Sequence, residues 1–176
     1  MAEPFTGSEH TEITHHILSV LVENKAGVLS RVAGLFSRRG FNIYSLAVAP
    51  ADAEDRFSRI TIVIDAESAP LEQIVAQLYK LINVVEIQDL SDSTTVQREL
   101  LLATVHLAGA DRGPLLRLVA SAGAAVIDFL DQEVTVSLAG TPRALDTFEE
   151  NLAELHVKVQ VQRTGRVALP RLGASA

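Results

Sequence analysis

Residues 22–48 read VENKAGVLSRVAGLFSRRGFNIYSLAV, and this stretch decides the fold. Val28, Leu29, Val32, Leu35 and Phe36 recur at helical spacing, so the run from Val28 to Arg39 is predicted to be an amphipathic helix. Arg38 and Arg39 fall in its last turn, where cations suit the helix dipole, and Gly40 follows as a natural C′ residue. The next run, FNIYSLAVAP, is strand-like. Its larger apolar residues Ile43, Leu46 and Val48 are spaced three and then two, which predicts a β-bulge near Tyr44 and Ser45. Backward from Glu23, residues 15–23 (HHILSVLVE) form an apolar, β-rich strand.

Forward of Pro50, the acidic turn ADAED leads to FSRITIVID. There Ile60, Ile62 and Ile64 share one face and Arg59, Thr61 and Val63 the other. Pro70 opens a second helix, PLEQIVAQLYKL, with Leu71, Ile74, Leu78 and Leu81 as its stripe. VVEIQDL closes the unit near Leu90. The order is βαββαβ.

After a polar connector, Ser91–Thr95, the order repeats. RELLLATVHLAG is a strand, PLLRLVASAG a helix ending at Gly123, and AAVIDFL and EVTVSLAG are two strands. PRALDTFEENLAEL is a helix with Thr141 as N-cap and Pro142 at N1, and HVKVQVQ is the last strand. The expected fold is α+β: two tandem ferredoxin-like βαββαβ sandwiches, each an antiparallel sheet with two helices on one face. The domains are 15–91 and 96–170, with tails at 1–14 and 171–176. The first strand is apolar on both faces, Leu18, Val20 and Val22 on one and Ile17 and Leu21 on the other. The helix-free face is therefore expected to pack on the second unit or on another chain.

The composition narrows the function. Of 176 residues 48% are hydrophobic and 21% charged, enough for packed cores. The absence of Cys excludes disulfides, thiolate metal sites and a Cys nucleophile. A net charge of −7 and 5% aromatics, with no Trp, argue against nucleic acid. No apolar run approaches the ~20 residues of a membrane span, and residues 1–14 lack the regions of a secretory leader. A cytoplasmic protein is expected. His10, His15, His16, His106 and His156 show no metal-ligand spacing, and the chain has no phosphate-loop or nucleophile-elbow motif, so no catalytic or metal residue is assigned. Arg31, Arg38 and Arg39 form a local basic patch.

The turn Asn24-Lys25-Ala26-Gly27 joins a strand end to a helix start. It admits two readings. Asn24 could satisfy local backbone donors in an ordinary strand–helix turn. Alternatively, the free N–H groups of the helix N-terminus could hold a small carboxylate without a basic side chain, with close approach allowed by Gly27. Val28 and Leu29 would then wall an apolar side chain and Asn24 would supply an amide. These parts suit a free amino acid.

The run from Leu21 to Val48 resembles the ACT-domain small regulatory subunits of acetolactate synthase (acetohydroxyacid synthase). It meets their pattern L-x-E-(N/D)-x-x-G-x-L-x-R-V-x-x-L-F-x-x-R-G-x-N-I-x-S-L-x-V throughout. The likeness continues through Arg59–Ile62, Leu71–Ile74 and Gln77–Leu81, then Val96, Arg98 and Glu99, and Thr164–Arg171. The resemblance implies a non-catalytic subunit that binds and activates a catalytic subunit and makes it sensitive to a branched-chain amino acid, usually valine. Two ACT domains pair as a homodimer with the effector between them. Carried over, the effector meets Asn24 and the backbone of Lys25, Ala26, Gly27, Val28 and Leu29 from one chain, and Asn42 and Ile43 from the other. Thiamine diphosphate, Mg²⁺ and FAD are expected on the catalytic subunit and none on this one. Three features depart from the pattern: Tyr44 replaces a commonly acidic residue, the connection at Asp131-Gln132 is short, and VALPRLG replaces V-x-L-x-R-G. The alternative is an ACT-type amino-acid sensor serving a different biosynthetic enzyme.

Overall fold

The computed structural model describes residues 15–65, 70–90 and 95–173. The expectations for the tail 1–14 with His10, for most of the connector and for 174–176 lie outside these. The first unit runs β1 (His15–Glu23), α1 (Val28–Arg39), β2 (Ile43–Pro50), β3 (Phe57–Asp65), α2 (Leu71–Leu78) and β4 (Val84–Asp89). The second runs β5 (Thr95–His106), α3 (Gly113–Ala122), β6 (Ala125–Leu130), β7 (Glu133–Gly140), α4 (Pro142–Glu154) and β8 (Lys158–Arg163), and then adds β9 (Val167–Pro170). The two tandem ferredoxin-like units are as the periodicity predicts.

Both sheets are antiparallel. The first has the order β2-β3-β1-β4 and the second β6-β7-β5-β8. In the first, Leu18 pairs with Ile62 and Val20 with Ile60, which turns one apolar row of each strand toward the helices. These residues and Val22 and Ile64 pack against Val32, Leu35 and Phe36 of α1 and Ile74 and Leu78 of α2. The second core repeats the plan with Leu101, Val105, Val136 and Leu138 under Leu115, Val119, Leu145 and Phe148. Truncating one of these fully buried leucines to Ala costs about 2–5 kcal/mol.

Gly40 and Gly123 end α1 and α3 with φ of 70° and 69°, each donating its N–H into the last turn. Left-handed backbone there is what glycine supplies at least cost. The bulge in β2 falls where the spacing puts it, between Ile43 and Ser45. Thr141 caps α4 by accepting the Ala144 N–H.

The structure corrects the sequence reading at the second unit's edge. β5 starts at Thr95, inside the expected connector, and β9 is an unexpected ninth strand pairing with Thr95–Arg98. β9 has a structural role. Its Ala168 packs with Ile17, Val63 and Leu90, which covers part of the helix-free face of the first sheet. The expectation that the second unit would cover this face holds there. Beside the contact an apolar groove of about 860 Å³ stays open between Leu46–Pro50 of β2, with the following Ala51, and the residues of β9. Among the described residues no helix is long and apolar enough to cross a membrane.

Candidate functional site

β1 delivers the chain into the turn and α1 takes it away. Glu23 donates its N–H to the Asn83 carbonyl at 2.9 Å and Asn24 to the Arg56 carbonyl at 2.8 Å, so the strand end is held on both sides. The Asn24 side-chain amide donates to the Asp55 carbonyl at 2.8 Å. This ties the turn to the β2–β3 loop. That loop is itself ordered by Asp52, which accepts the Phe57 N–H and pairs with Arg56; the Phe57 N–H, with Arg56 assisting, holds the Asp52 carboxyl below the usual carboxylate range.

Gly27 is the N-cap of α1 with φ 82°, and its carbonyl accepts the Arg31 N–H at 3.0 Å. A Cβ at Gly27 would meet nothing within 4 Å of this chain. Glycine is therefore favoured here by the left-handed backbone rather than by crowding within the chain, and the space before it is open. No side chain caps the helix and its first turn has no acidic residue. The Val28 N–H turns back to the Lys25 carbonyl at 3.2 Å, which leaves the Leu29 and Ser30 N–H groups and the positive end of the dipole without an acceptor among the described residues.

The side chains around the turn divide. Val28 is buried in the core, so it offers the turn only its backbone; the expected apolar wall falls to Leu29, which is 43% exposed. Lys25 is exposed and pairs with Glu23 at 3.1 Å. The buried Asn83, which the sequence reading did not single out, donates to Glu23 and accepts from Arg31 at 2.7 Å. Donation from Asn83, then from Lys25, holds the Glu23 carboxyl below its ordinary range. Arg31 therefore braces α1 against the α2–β4 turn instead of joining a patch with Arg38 and Arg39, and Arg39 bonds Gln77.

Asn42 and Ile43 lie elsewhere. Asn42 donates to the Asp65 carboxylate, Ile43 pairs with Ile64, and Asp65 pairs with His15. They are at the start of β1 while Asn24 follows its end. Nine residues of β1 separate the two sets, roughly 26 Å at ~3.3 Å per residue. No single amino acid could touch both sets within one chain.

Next to Asn42 the two units interlock. The Arg166 N–H donates to Ser45 Oγ at 3.0 Å, the Arg166 guanidinium lies 5.0 Å from the Tyr44 ring centroid, and the His15 ring packs on the same ring at 4.4 Å, tilted by 53°. Tyr44, a departure from the family pattern, is thus the platform of this joint. Burial and then the Arg166 charge lower the His15 pKa, and Asp65 opposes them. Among the described residues no three His, Asp or Glu side chains gather as a metal site.

Residues 18–86 match the family model described as an AHAS small subunit-like ACT domain, and residues 98–172 match that of the small subunit of acetolactate synthase. The chain is 46% identical over 156 residues to the acetolactate synthase small subunit of Mycobacterium bovis, covering 89% of this chain and 92% of that one. It is 42% identical over 155 residues to the Escherichia coli acetolactate synthase isozyme 3 small subunit, covering 88% and 94%. The crystal structure of the acetolactate synthase small subunit from Thermotoga maritima superposes with a TM-score of 0.82 at 32% identity, covering 91% of this chain and 99% of that one.

Proposed function

The chain belongs to the acetolactate synthase small-subunit family, and from that premise we propose that it is a non-catalytic regulatory subunit. It binds an acetolactate synthase catalytic subunit in the cytoplasm, raises its activity and confers feedback inhibition by a branched-chain amino acid, valine foremost. Thiamine diphosphate, Mg²⁺ and FAD belong to the catalytic subunit in this reading.

One observation carries the effector site: α1 opens on an uncapped, acid-free N-terminus behind open space at Gly27, with the exposed Leu29 beside it. A carboxylate there meets N–H groups and the helix dipole, and an aliphatic side chain meets Leu29. Asn42 and Ile43 then enter from a second copy. β2 is an edge strand, and edge strands pair readily with another chain. A two-fold axis across the middle of two antiparallel β2 strands brings one chain's Asn42 to the sheet end that carries the other's Asn24. The effector bridges the two chains and favours one dimer geometry. A coupling of ~1–3 kcal/mol, about 5–150-fold in affinity, is ordinary for such a switch.

The test is calorimetric titration of the purified protein with L-valine, against leucine, isoleucine and D-valine, together with co-purification of the catalytic subunit. Gly27→Asp places a negative charge where the carboxylate binds, while Asp tolerates the left-handed backbone better than most residues. The expected result is lost valine response with retained activation. A Gly27→Asp holoenzyme still fully inhibited by valine would refute the site. Co-purification with an unrelated biosynthetic enzyme would refute the partner.

A further inference from the structure

A cleft of about 440 Å³ opens in the second unit, where the start of β5, the N-terminus of α4 and the chain flanking β9 meet. Among the described residues its wall carries Arg98, Arg143, Arg166 and Arg171 and no carboxylate. Four of the chain's fifteen lysines and arginines thus face one concavity in a protein of net charge −7. Elsewhere in the chain Arg56 and Arg163 each pair with more than one carboxylate. None of the four cleft arginines makes such a pair among the described residues. Arg98 donates only to the neighbouring Gln97 carbonyl, and the buried Arg166 Nε has no acceptor. The rim adds the α4 N-terminus, whose first turn holds no acidic residue.

Gathering guanidinium groups without counter-charge is unfavourable, and a multiply charged anion relieves it. Guanidinium forks match phosphate oxygens in pairs of parallel hydrogen bonds. A lone carboxylate would leave most of the charge uncompensated, whereas a chain of two or three phosphates matches it in number and fits the volume. We infer that the cleft formed by Arg98, Arg143, Arg166 and Arg171 is an oligophosphate-binding site, separate from the effector turn. The Arg166 that lines it also holds Tyr44 and Ser45, so an occupied cleft touches the joint between the units.

The test titrates the full-length protein with inorganic tripolyphosphate by calorimetry at two salt concentrations. Arms with ATP and with adenosine distinguish a free oligophosphate from a nucleotide as the source. Saturable binding that weakens with salt is expected. The Arg98→Gln/Arg143→Gln variant changes two exposed side chains and should bind about 100-fold more weakly, about tenfold per charged hydrogen-bond donor removed. Arg171→Gln should lose about tenfold on its own. Valine titrated into the same samples reports the effector turn independently and verifies that the variants are folded. No saturable tripolyphosphate binding to the wild type, equal binding by the double variant, or binding of an oligoglutamate peptide in place of tripolyphosphate would overturn the inference.

Discussion

Gly165 sits against Ser45 and Leu46 of the first unit, and replacing it with Ala gives a measure of the joint between the units. Its φ is +83°, and an added Cβ would lie 2.8 Å from Ser45 Oγ and 3.3 Å from the Leu46 carbonyl oxygen. Two separable costs follow. Holding Ala in left-handed backbone costs about 1–2 kcal/mol. The clash with Ser45 is relieved only if the hydroxyl rotates away, and then the half-buried Arg166 N–H loses its acceptor, about 1–2 kcal/mol. Gly165→Ala should therefore destabilise by roughly 2–4 kcal/mol. At about 2–4 °C per kcal/mol for a chain of this length, the melting temperature falls by about 4–16 °C. Thermal and urea unfolding measure it. Ser45→Ala removes the clashing atom and the acceptor together, so in that background Gly165→Ala should keep only the backbone cost. The cycle should show a coupling of about 1–2 kcal/mol. A Gly165→Ala protein within about 0.5 kcal/mol of wild type, or strict additivity with Ser45→Ala, would refute the reasoning.

Glu99 is buried and accepts from Arg163 Nε at 3.0 Å and Nη2 at 2.6 Å, while Asp146 and Glu149 also hold Arg163. Because those two carboxylates remain, Glu99→Gln should cost about 2 kcal/mol rather than the larger loss of an orphaned charge; urea melts check this, and a neutral result would remove the network from the fold's support. His15 titrates below its ordinary value in the folded chain, so the unfolded chain binds more protons in that window. Its contribution to stability is complete above the unfolded value of about 6.5 and is lost as pH falls toward the lower folded value. Stability measured at pH 7.5 and 5.5 should drop on acidification, and less so in His15→Gln; an identical drop in both would sink the assignment.

The local elements were legible because their signals are local. The stripe of α1, the glycines at 40 and 123, the broken alternation of β2 and the Thr141-Pro142 cap each need only a few neighbouring residues. β9 was not legible, since four residues ending in Pro170 carry no periodicity and its partner segment, Thr95–Arg98, has only Val96 as an apolar residue. The joint was not legible either, because Ser45 and Arg166 are 121 residues apart. Val28 illustrates a third limit. The sequence reading used it both as core stripe and as site wall, and one side chain points one way; the core holds it. Asn83 hid as a polar residue in an apolar run, and only its burial between Glu23 and Arg31 reveals its role.

The internal repeat supplies a control for the effector turn. An offset of 83 residues carries Gly40 onto Gly123, and it carries the turn at 24–27 onto the segment before α3. The two helix starts are built differently. In the second unit the Asp111 carboxylate accepts the Gly113 N–H at 3.0 Å, so a side chain already serves the start of α3. α4 has its Thr141 cap and α2 has Glu72 in its first turn. α3 also has no side-chain N-cap and no acid in its first turn, but Asp111 ahead of it accepts its first N–H, whereas among the described residues no side chain accepts at the start of α1. An ordinary turn gains from a side-chain acceptor there, worth about 1 kcal/mol, and nothing in the fold prevents one, since the same fold supplies it 83 residues later. A helix start that forgoes this stabilisation, on the unit whose β2 is an edge strand, supports the proposed reading in which a ligand brings the acceptor.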